Sequence, residues 1–464
     1  MTADRAVSCA QKRLWVLDRL HPGQPVYVVP MIYRIDGEPD VAILERSLSE
    51  VVRRHEVLRT VYRIVSGTLR QSVRPAAPVR IPVRDVSGHA DPDAEAEKLA
   101  VAEARRPFDL SADPVIRPLL VRLATARYRL LLTLHHIACD GWSLHILENE
   151  LSTCYRSWLS DGVTPPELPP LQEQYTDFAD WQTAQLAVPT VRAELDHWTK
   201  RLSDVPVPAT VPADRPHPPV PSFKGGHVRF EIEPSVSDRV ARLARACGAT
   251  PFAVLLAAFA TLVHARGGGA EAVIGTPVTN RRRESHYELI GMFVNTVVQR
   301  LEVPRTLNFR ELVHRARDES RDAMAHQSLP FETVVEELNP VRDPRFNPVF
   351  QLMLSYQEDD GARLVLPGCE VTREPGDTST AKVDLSLSIT SVRGRYSGRL
   401  EYSTDLFEPT TARRLAEQYH ALLAIATDDP LRDVRTFQQV CGKNGVLSTT
   451  AQKWLSQDFR DVDH

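Results

Sequence analysis

Between residues 40 and 60, Leu44, Leu48, Val51, Val52 and His55 recur at helical spacing, with Asp40 placed to cap the first turn. Residues 61–64 and 69–73 then read as short strands about a Ser66-Gly67 turn. Residues 128–134 are mostly apolar on both alternations, which predicts a strand buried inside a sheet rather than one with a wet face. Two Pro-rich stretches follow, 164–170 and 205–221. Proline fixes φ and lacks a donor, so neither stretch suits a helix or a central strand. The longer one predicts an extended surface segment crossing between halves.

The second half opens with two helices punctuated at Gly248; Thr250 caps the second, Pro251 takes its first position, and Phe252, Leu255, Phe259 and Leu262 form its apolar stripe. Residues 272–276 read as a strand, and further strands are expected near 293–301, 349–356, 383–389 and 396–402. Each half thus offers sheet plus helices, an α+β arrangement repeated. Residues 441–464 are weakly patterned and read as a C-terminal tail.

With 464 residues the chain exceeds the ~150 of one compact domain, so two domains are expected. A net charge of −4 supplies no broad basic field for nucleic acid. The six cysteines (9, 139, 154, 247, 369 and 441) show no CxxC pairing and read as reduced thiols. Neither a secretory signal nor a run of ~20 apolar residues is present, which predicts a cytoplasmic protein without membrane partners.

Chemistry concentrates at residues 134–143, where the buried strand runs into His135-His136, then Cys139-Asp140-Gly141-Trp142-Ser143. Neighbouring strand side chains point to opposite faces, so the two histidines cannot both address one substrate. Three readings stand. Both histidines can be hydrogen-bonded core residues. His136, Asp140 and His145 can form a metal site, although His135 cannot join it and no further ligand cluster is evident. One imidazole, titrating near neutrality, can serve as general base or proton relay for an amine or hydroxyl nucleophile. Cys139 beside two histidines also raises covalent catalysis.

Flanking segments weigh on this choice. Residues 8–17 (Ser8-Cys9-Ala10-Gln11 through Trp15), 54–60 (Arg54-His55-Glu56 through Arg59-Thr60), the His-His-x-x-x-Asp-Gly signature at 135–141, and 175–182 (Tyr175 through Trp181-Gln182) appear in order. Residues 290–296 (Ile290-Gly291-Met292-Phe293 through Asn295) with Arg300, 326–332 and 342–351 follow. Together these blocks resemble the condensation domains of nonribosomal peptide synthetases, members of the chloramphenicol-acetyltransferase-like superfamily. The resemblance spans nearly the whole chain.

The resemblance implies an α+β fold of two acetyltransferase-like α/β sandwich lobes, residues 1–180 and 181–440, in a V-shaped pseudo-dimer with a central tunnel. It implies direct acyl transfer from a phosphopantetheine thioester to an amine or hydroxyl, with His136 catalytic, the Gly141 N–H steadying the oxyanion, and Cys139 a buried filler. His135, Asp140 and Arg281 are then structural at the site, with Arg54 and Arg59 behind. Asn295, Arg59, Trp142 and Ser143 line the tunnel or support the loop. No tightly bound cofactor and no metal are expected, since substrates ride on the phosphopantetheine of peptidyl carrier proteins. The partners implied are those carriers and a small-molecule acceptor. The blocks start near Met1 and fade near Leu431, without carrier or adenylation sequences, so a freestanding, monomeric enzyme acting in trans is expected. A coenzyme A-dependent acyltransferase or a catalytically silent recruitment module are the rival functions; the intact signature opposes the second.

Overall fold

The computed structural model describes residues 4–163, 166–205, 209–304, 306–340, 343–359 and 363–437. The 441–464 tail with Cys441, Thr164-Pro165, and Arg342 lie outside the described residues. In chain order the elements are β1 (Arg5–Ala6), α1 (Cys9–Leu20), β2 (Val28–Asp36), α2 (Val41–Arg54), β3 (Thr60–Val65), β4 (Thr68–Val73), β5 (Val83–Asp85), α3 (Pro92–Arg105), β6 (Ile116–Ala124) and β7 (Arg127–His135). There follow α4 (Gly141–Asp161), α5 (Tyr175–Leu186), α6 (Thr190–Leu202), β8 (Gly225–Glu231), α7 (Pro234–Ala246), α8 (Pro251–Ala265), β9 (Glu271–Val278) and β10 (Asn295–Glu302). The last are α9 (Phe309–Ala325), α10 (Phe331–Leu338), β11 (Leu352–Asp359), β12 (Glu370–Glu374), β13 (Leu385–Val392), β14 (Arg395–Ser403) and α11 (Pro409–Asp428).

Two compact units emerge. The first comprises residues 1–193 with two excursions from later in the chain, 279–295 and 361–378; the remainder forms the second. In the first, a five-stranded sheet runs β12-β2-β7-β6-β5 beside a small β1-β4-β3 sheet. β7 lies between β2 and β6, antiparallel to both, so ladder bonds hold it on two sides. Leu130, Leu131, Leu132 and Leu134 are each at most 2% exposed. Burying such a side chain is worth roughly 1.5–3 kcal/mol. The strand that delivers the histidines is therefore a rigid base.

Local chemistry shapes the rest of this unit as the pattern suggests, with one departure. Ser66 and Gly67 both adopt positive φ (49° and 76°), the geometry of a tight hairpin turn between β3 and β4. Asp40 accepts the Ile43 N–H as N-cap of α2. α2 stops at Arg54, however, and residues 56–59 form a 3-10 turn. His55 is pulled into extended backbone (φ −101°, ψ 101°) with its ring buried against Glu150 of α4, a tertiary contact that outweighs helical propensity.

In the second unit the sheet runs β10-β9-β11-β13-β14-β8. β11 pairs parallel with β9 and β13, and β14 antiparallel with β13 and β8. α7 ends in a Schellman turn: Gly248 at φ 56° sends its N–H to Arg245 O, while the Ala249 N–H reaches Ala244 O. α8 is buried from Ala253 through His264, the centre of this core. The Pro-rich segment lies in this unit rather than crossing between halves; Asp214 and Arg215 donate backbone N–H groups to Leu406 O. No single helix among the described residues is long and apolar enough to cross a membrane.

Candidate active site

At the end of β7 the His135 N–H is tied to Val115 O, and the buried His135 ring accepts the Ile137 N–H at Nδ1 (3.1 Å). Phe108 packs edge-on against it at 5.7 Å. His135 is thereby committed to shaping the turn. His136 opens a 3-10 turn over His136–Ala138 and remains only half-buried. Its Nδ1 lies 2.7 Å from Cys139 O. A carbonyl can only accept, so Nδ1 carries a proton, and in the neutral form of the ring the lone pair is then on Nε2. That tautomer is the one a general base needs.

Asp140 caps α4, and Gly141 is that helix's first residue. The Gly141 N–H belongs to the first turn, whose donors lack intrahelical acceptors and gather at the positive end of a 21-residue helix. Asp140 itself is turned inward and saturated. Its Oδ1 accepts from Ser143 N (2.9 Å), Ser143 Oγ (2.7 Å) and Arg281 Nη2 (3.0 Å), and its Oδ2 accepts from Phe293 N (3.1 Å). Arg281 also donates to Leu289 O (2.8 Å), His286 O and Ser143 Oγ, and its guanidinium lies over the Phe293 ring at 4.1 Å. Burial pulls the Arg281 pKa below its ordinary value, and Asp140 offsets part of that cost.

Ser143 joins the same knot. Its Oγ accepts from Gly291 N (3.0 Å) and lies 2.9 Å from Gly291 O, so its single proton is shared between that carbonyl and Asp140. Gly291 admits no side chain, since a Cβ there would sit 2.0 Å from Tyr175 Cδ2. Tyr175 and Phe178 of α5 pack their aromatic face on Phe293, with ring centroids 5.0 and 4.5 Å away. Trp142 is 44% exposed; its Nε1 donates to Tyr287 O (2.9 Å) and its ring meets Tyr287 edge-on. The 280–293 segment thus wraps the signature turn from the far end of the sequence.

Other residues fall elsewhere. Asn295 is buried at the start of β10, two positions beyond Phe293. Arg59 does not support the loop, a correction to the sequence reading: its guanidinium is taken up by Arg74 O beyond β4, Arg53 O in α2 and Glu56 of its own 3-10 turn. Arg54 instead reaches Glu150 of α4 at 2.8 Å, beside His55. His55 and Glu150 are polar residues the sequence reading missed, because His55 sat on an apolar helical stripe; the adjacent Arg-His-Glu run was the signal. Cys139 is 1% exposed, its thiol facing His135 O at 3.7 Å, where no acyl group reaches it.

His136, Asp140 and His145 do not form a group with ligand spacing among the described residues, and the Asp140 oxygens are engaged by N–H and O–H donors. Among the described residues, His197, Asp322 and His326 of the second unit have ligand spacing. Their imidazoles are stacked at 3.6 Å and 7°, so lone pairs lying in parallel planes do not meet on one ion. A cavity of about 740 Å³ in the same unit is lined by mixed charges, Arg201, Glu271, Arg300 and Glu319 among them, and contains no signature residue.

Comparison with known proteins bears on this arrangement. The family model described as "Condensation domain" matches residues 2–442. Phosphinothricin tripeptide synthetase PhsB of Streptomyces viridochromogenes is 40% identical over 434 residues, covering 92% of this chain and 36% of the synthetase. The chain therefore spans about a third of that relative's length. Among solved structures, the complex of the X-domain and OxyB from teicoplanin biosynthesis matches at a TM-score of 0.85 and 27% identity, covering 94% of this chain and 96% of that one. The first condensation domain of the calcium-dependent antibiotic synthetase, with a substrate analogue, matches at 0.78 over 93% and 98% of the two chains; at 22% identity it speaks for the fold alone.

Proposed function

The chain belongs to the condensation-domain family, and on that footing we propose that it joins a carrier-bound acyl or aminoacyl group to an amine in nonribosomal peptide biosynthesis. The single observation that carries the chemistry is the 2.7 Å contact of His136 Nδ1 with Cys139 O, which places a proton on Nδ1 and leaves Nε2 as the nitrogen for base chemistry. The acceptor nitrogen attacks the thioester carbonyl, a C–N bond forms, and His136 Nε2 takes the amine proton or holds the amine in line. As the tetrahedral intermediate collapses, the C–S bond breaks and the proton passes to the departing phosphopantetheine thiolate. Aligning two bound reactants supplies up to roughly 7–11 kcal/mol, so His136 acts as much by position as by basicity. The Gly141 N–H, at the positive end of α4, is the donor we assign to the oxyanion. Asp140 and Arg281 hold that helix start and take no part in proton transfer.

The test is intact-mass monitoring of an aminoacyl or acyl carrier protein mixed with amine and alcohol acceptors, using the wild-type chain and His136→Ala. Product from wild type that falls by ~10²–10⁴-fold in the variant supports the reading and shows whether amide or ester forms. Equal turnover by both removes His136 from the chemistry. A second reading, a recruitment module, draws on the likeness to the X-domain captured with OxyB. Absence of turnover across several donors, with binding of a partner enzyme, would favour it.

A further inference from the structure

Beyond the signature, one buried histidine is fully accounted for by hydrogen bonds yet unused by the mechanism. His55 is 1% exposed. The Ile290 N–H donates to its Nδ1 at 3.3 Å, which leaves the other proton on Nε2, 2.8 Å from Glu150 Oε2. Glu150, 7% exposed, is held at its second oxygen by Arg54 Nε at 2.8 Å. The ring therefore bridges α4 to the 290–293 backbone. That backbone continues into the Gly291 N–H on Ser143 Oγ and the Phe293 N–H on Asp140 Oδ2. Glu150 and the Asp140–Ser143 turn sit on the same helix, α4. His55 thus ties the body of α4 to the strap that grips its first turn.

We infer that His55 is a positioning residue for the acyl transfer proposed above: through Ile290 it sets the 290–293 strap, and through the strap the orientation of the Asp140–Gly141 turn beside His136. The inference rests on that functional reading for its effect on rate, but the clamp itself is a property of the fold. Its working half is the Nδ1 acceptor. The Nε2 contact to Glu150 orients the ring.

The two halves separate by substitution. In His55→Asn the amide oxygen falls where Nδ1 was and preserves an acceptor for Ile290, while Glu150 loses its contact. In His55→Gln the amide nitrogen falls where Nε2 was and keeps Glu150, while the Ile290 N–H loses its acceptor. Both variants are measured as full chains for kcat and KM with a carrier-bound donor, for thermal midpoint, and for backbone amide exchange of peptides covering 289–293. The expected result is a kcat at least about tenfold lower in His55→Gln than in His55→Asn with KM little moved, since a displacement near 1 Å can cost up to ~10²-fold. Faster exchange over 289–293 is expected in the Gln variant alone. Equal losses of kcat in both, tracking their thermal midpoints, would overturn the inference, as would equal exchange over 289–293. Exchange needs no substrate. A wild type without turnover across several donors would sink the acyl-transfer reading, and exchange would still decide the clamp.

Discussion

Replacing Asp140 by Asn changes one oxygen to an amide and keeps the side chain's shape, so its consequences can be worked atom by atom. Four donor contacts converge on the carboxylate, three on Oδ1 and one on Oδ2. An amide offers one acceptor atom, so either the Phe293 N–H or the Arg281–Ser143 group must face an NH₂. The Arg281 partner has a side chain 0% exposed and Asp140 one 1% exposed, so no water replaces the lost charge. Removing one member of a buried ion pair costs ~3–5 kcal/mol, most of it the uncompensated partner. For a folding unit of this size, roughly 2–4 °C per kcal/mol makes that a drop of about 6–20 °C in thermal midpoint. The assay is calorimetry or circular dichroism of the full chain, run also in an Arg281→Met background. There the Asn substitution should cost at least ~2 kcal/mol less, because no buried cation remains to be stranded. Equal costs in the two backgrounds, within ~0.5 kcal/mol, would refute the claim that the pair is coupled.

Two further outcomes follow from the same packing. Burial lowers His286 from 6.5 to about 4, with Glu173 opposing and Arg283 assisting; the ring is 0% exposed among Phe178, Trp181 and Phe293. The unfolded chain therefore binds a proton here that the folded one refuses, so this contribution is intact above about 6.5 and lost as pH falls toward about 4, with a slope up to ~1.4 kcal/mol per pH unit. On acidification across that window the urea midpoint of wild type should fall more steeply than that of His286→Phe; parallel curves would contradict it. Gly291→Ala should cost roughly 1–3 kcal/mol in thermal or urea unfolding, because its Cβ would meet Tyr175 Cδ2 at 2.0 Å. A neutral result would mean that α5 yields without resistance.

Much of the candidate site was legible because its parts are local. The mostly apolar run ending at His135, the Ser66-Gly67 hairpin, the Thr250-Pro251 helix start and the Gly248 stop follow from periodicity, capping and positive φ, which depend on near neighbours in the chain. The signature's position at the end of a buried strand was likewise readable. Alternation predicted that the two histidines differ, but β7 ends at His135 and His136 lies in the 3-10 turn beyond it, so the turn and not the strand pleat separates them. The resemblance assigned the second to the tunnel.

What only the tertiary structure decided lies between residues far apart in sequence. Nothing in local pattern shows that 279–295 and 361–378 join the first unit, or that the Asp140 oxygens are filled by Arg281 and Phe293, which come 141 and 153 residues later. The tautomer of His136 was set by Cys139 O once the turn closed, and the end of α2 by Glu150 drawing in His55. Arg59 illustrates the converse, an arginine in a telling motif whose acceptors are the carbonyls of Arg53 and Arg74 rather than any group of the signature turn. The physical reason is common to all of these. A strand or a cap is chosen by energies summed over a few adjacent residues, whereas a buried polar group takes whichever partner the finished fold brings within ~3 Å, since leaving it unpaired costs ~1–3 kcal/mol.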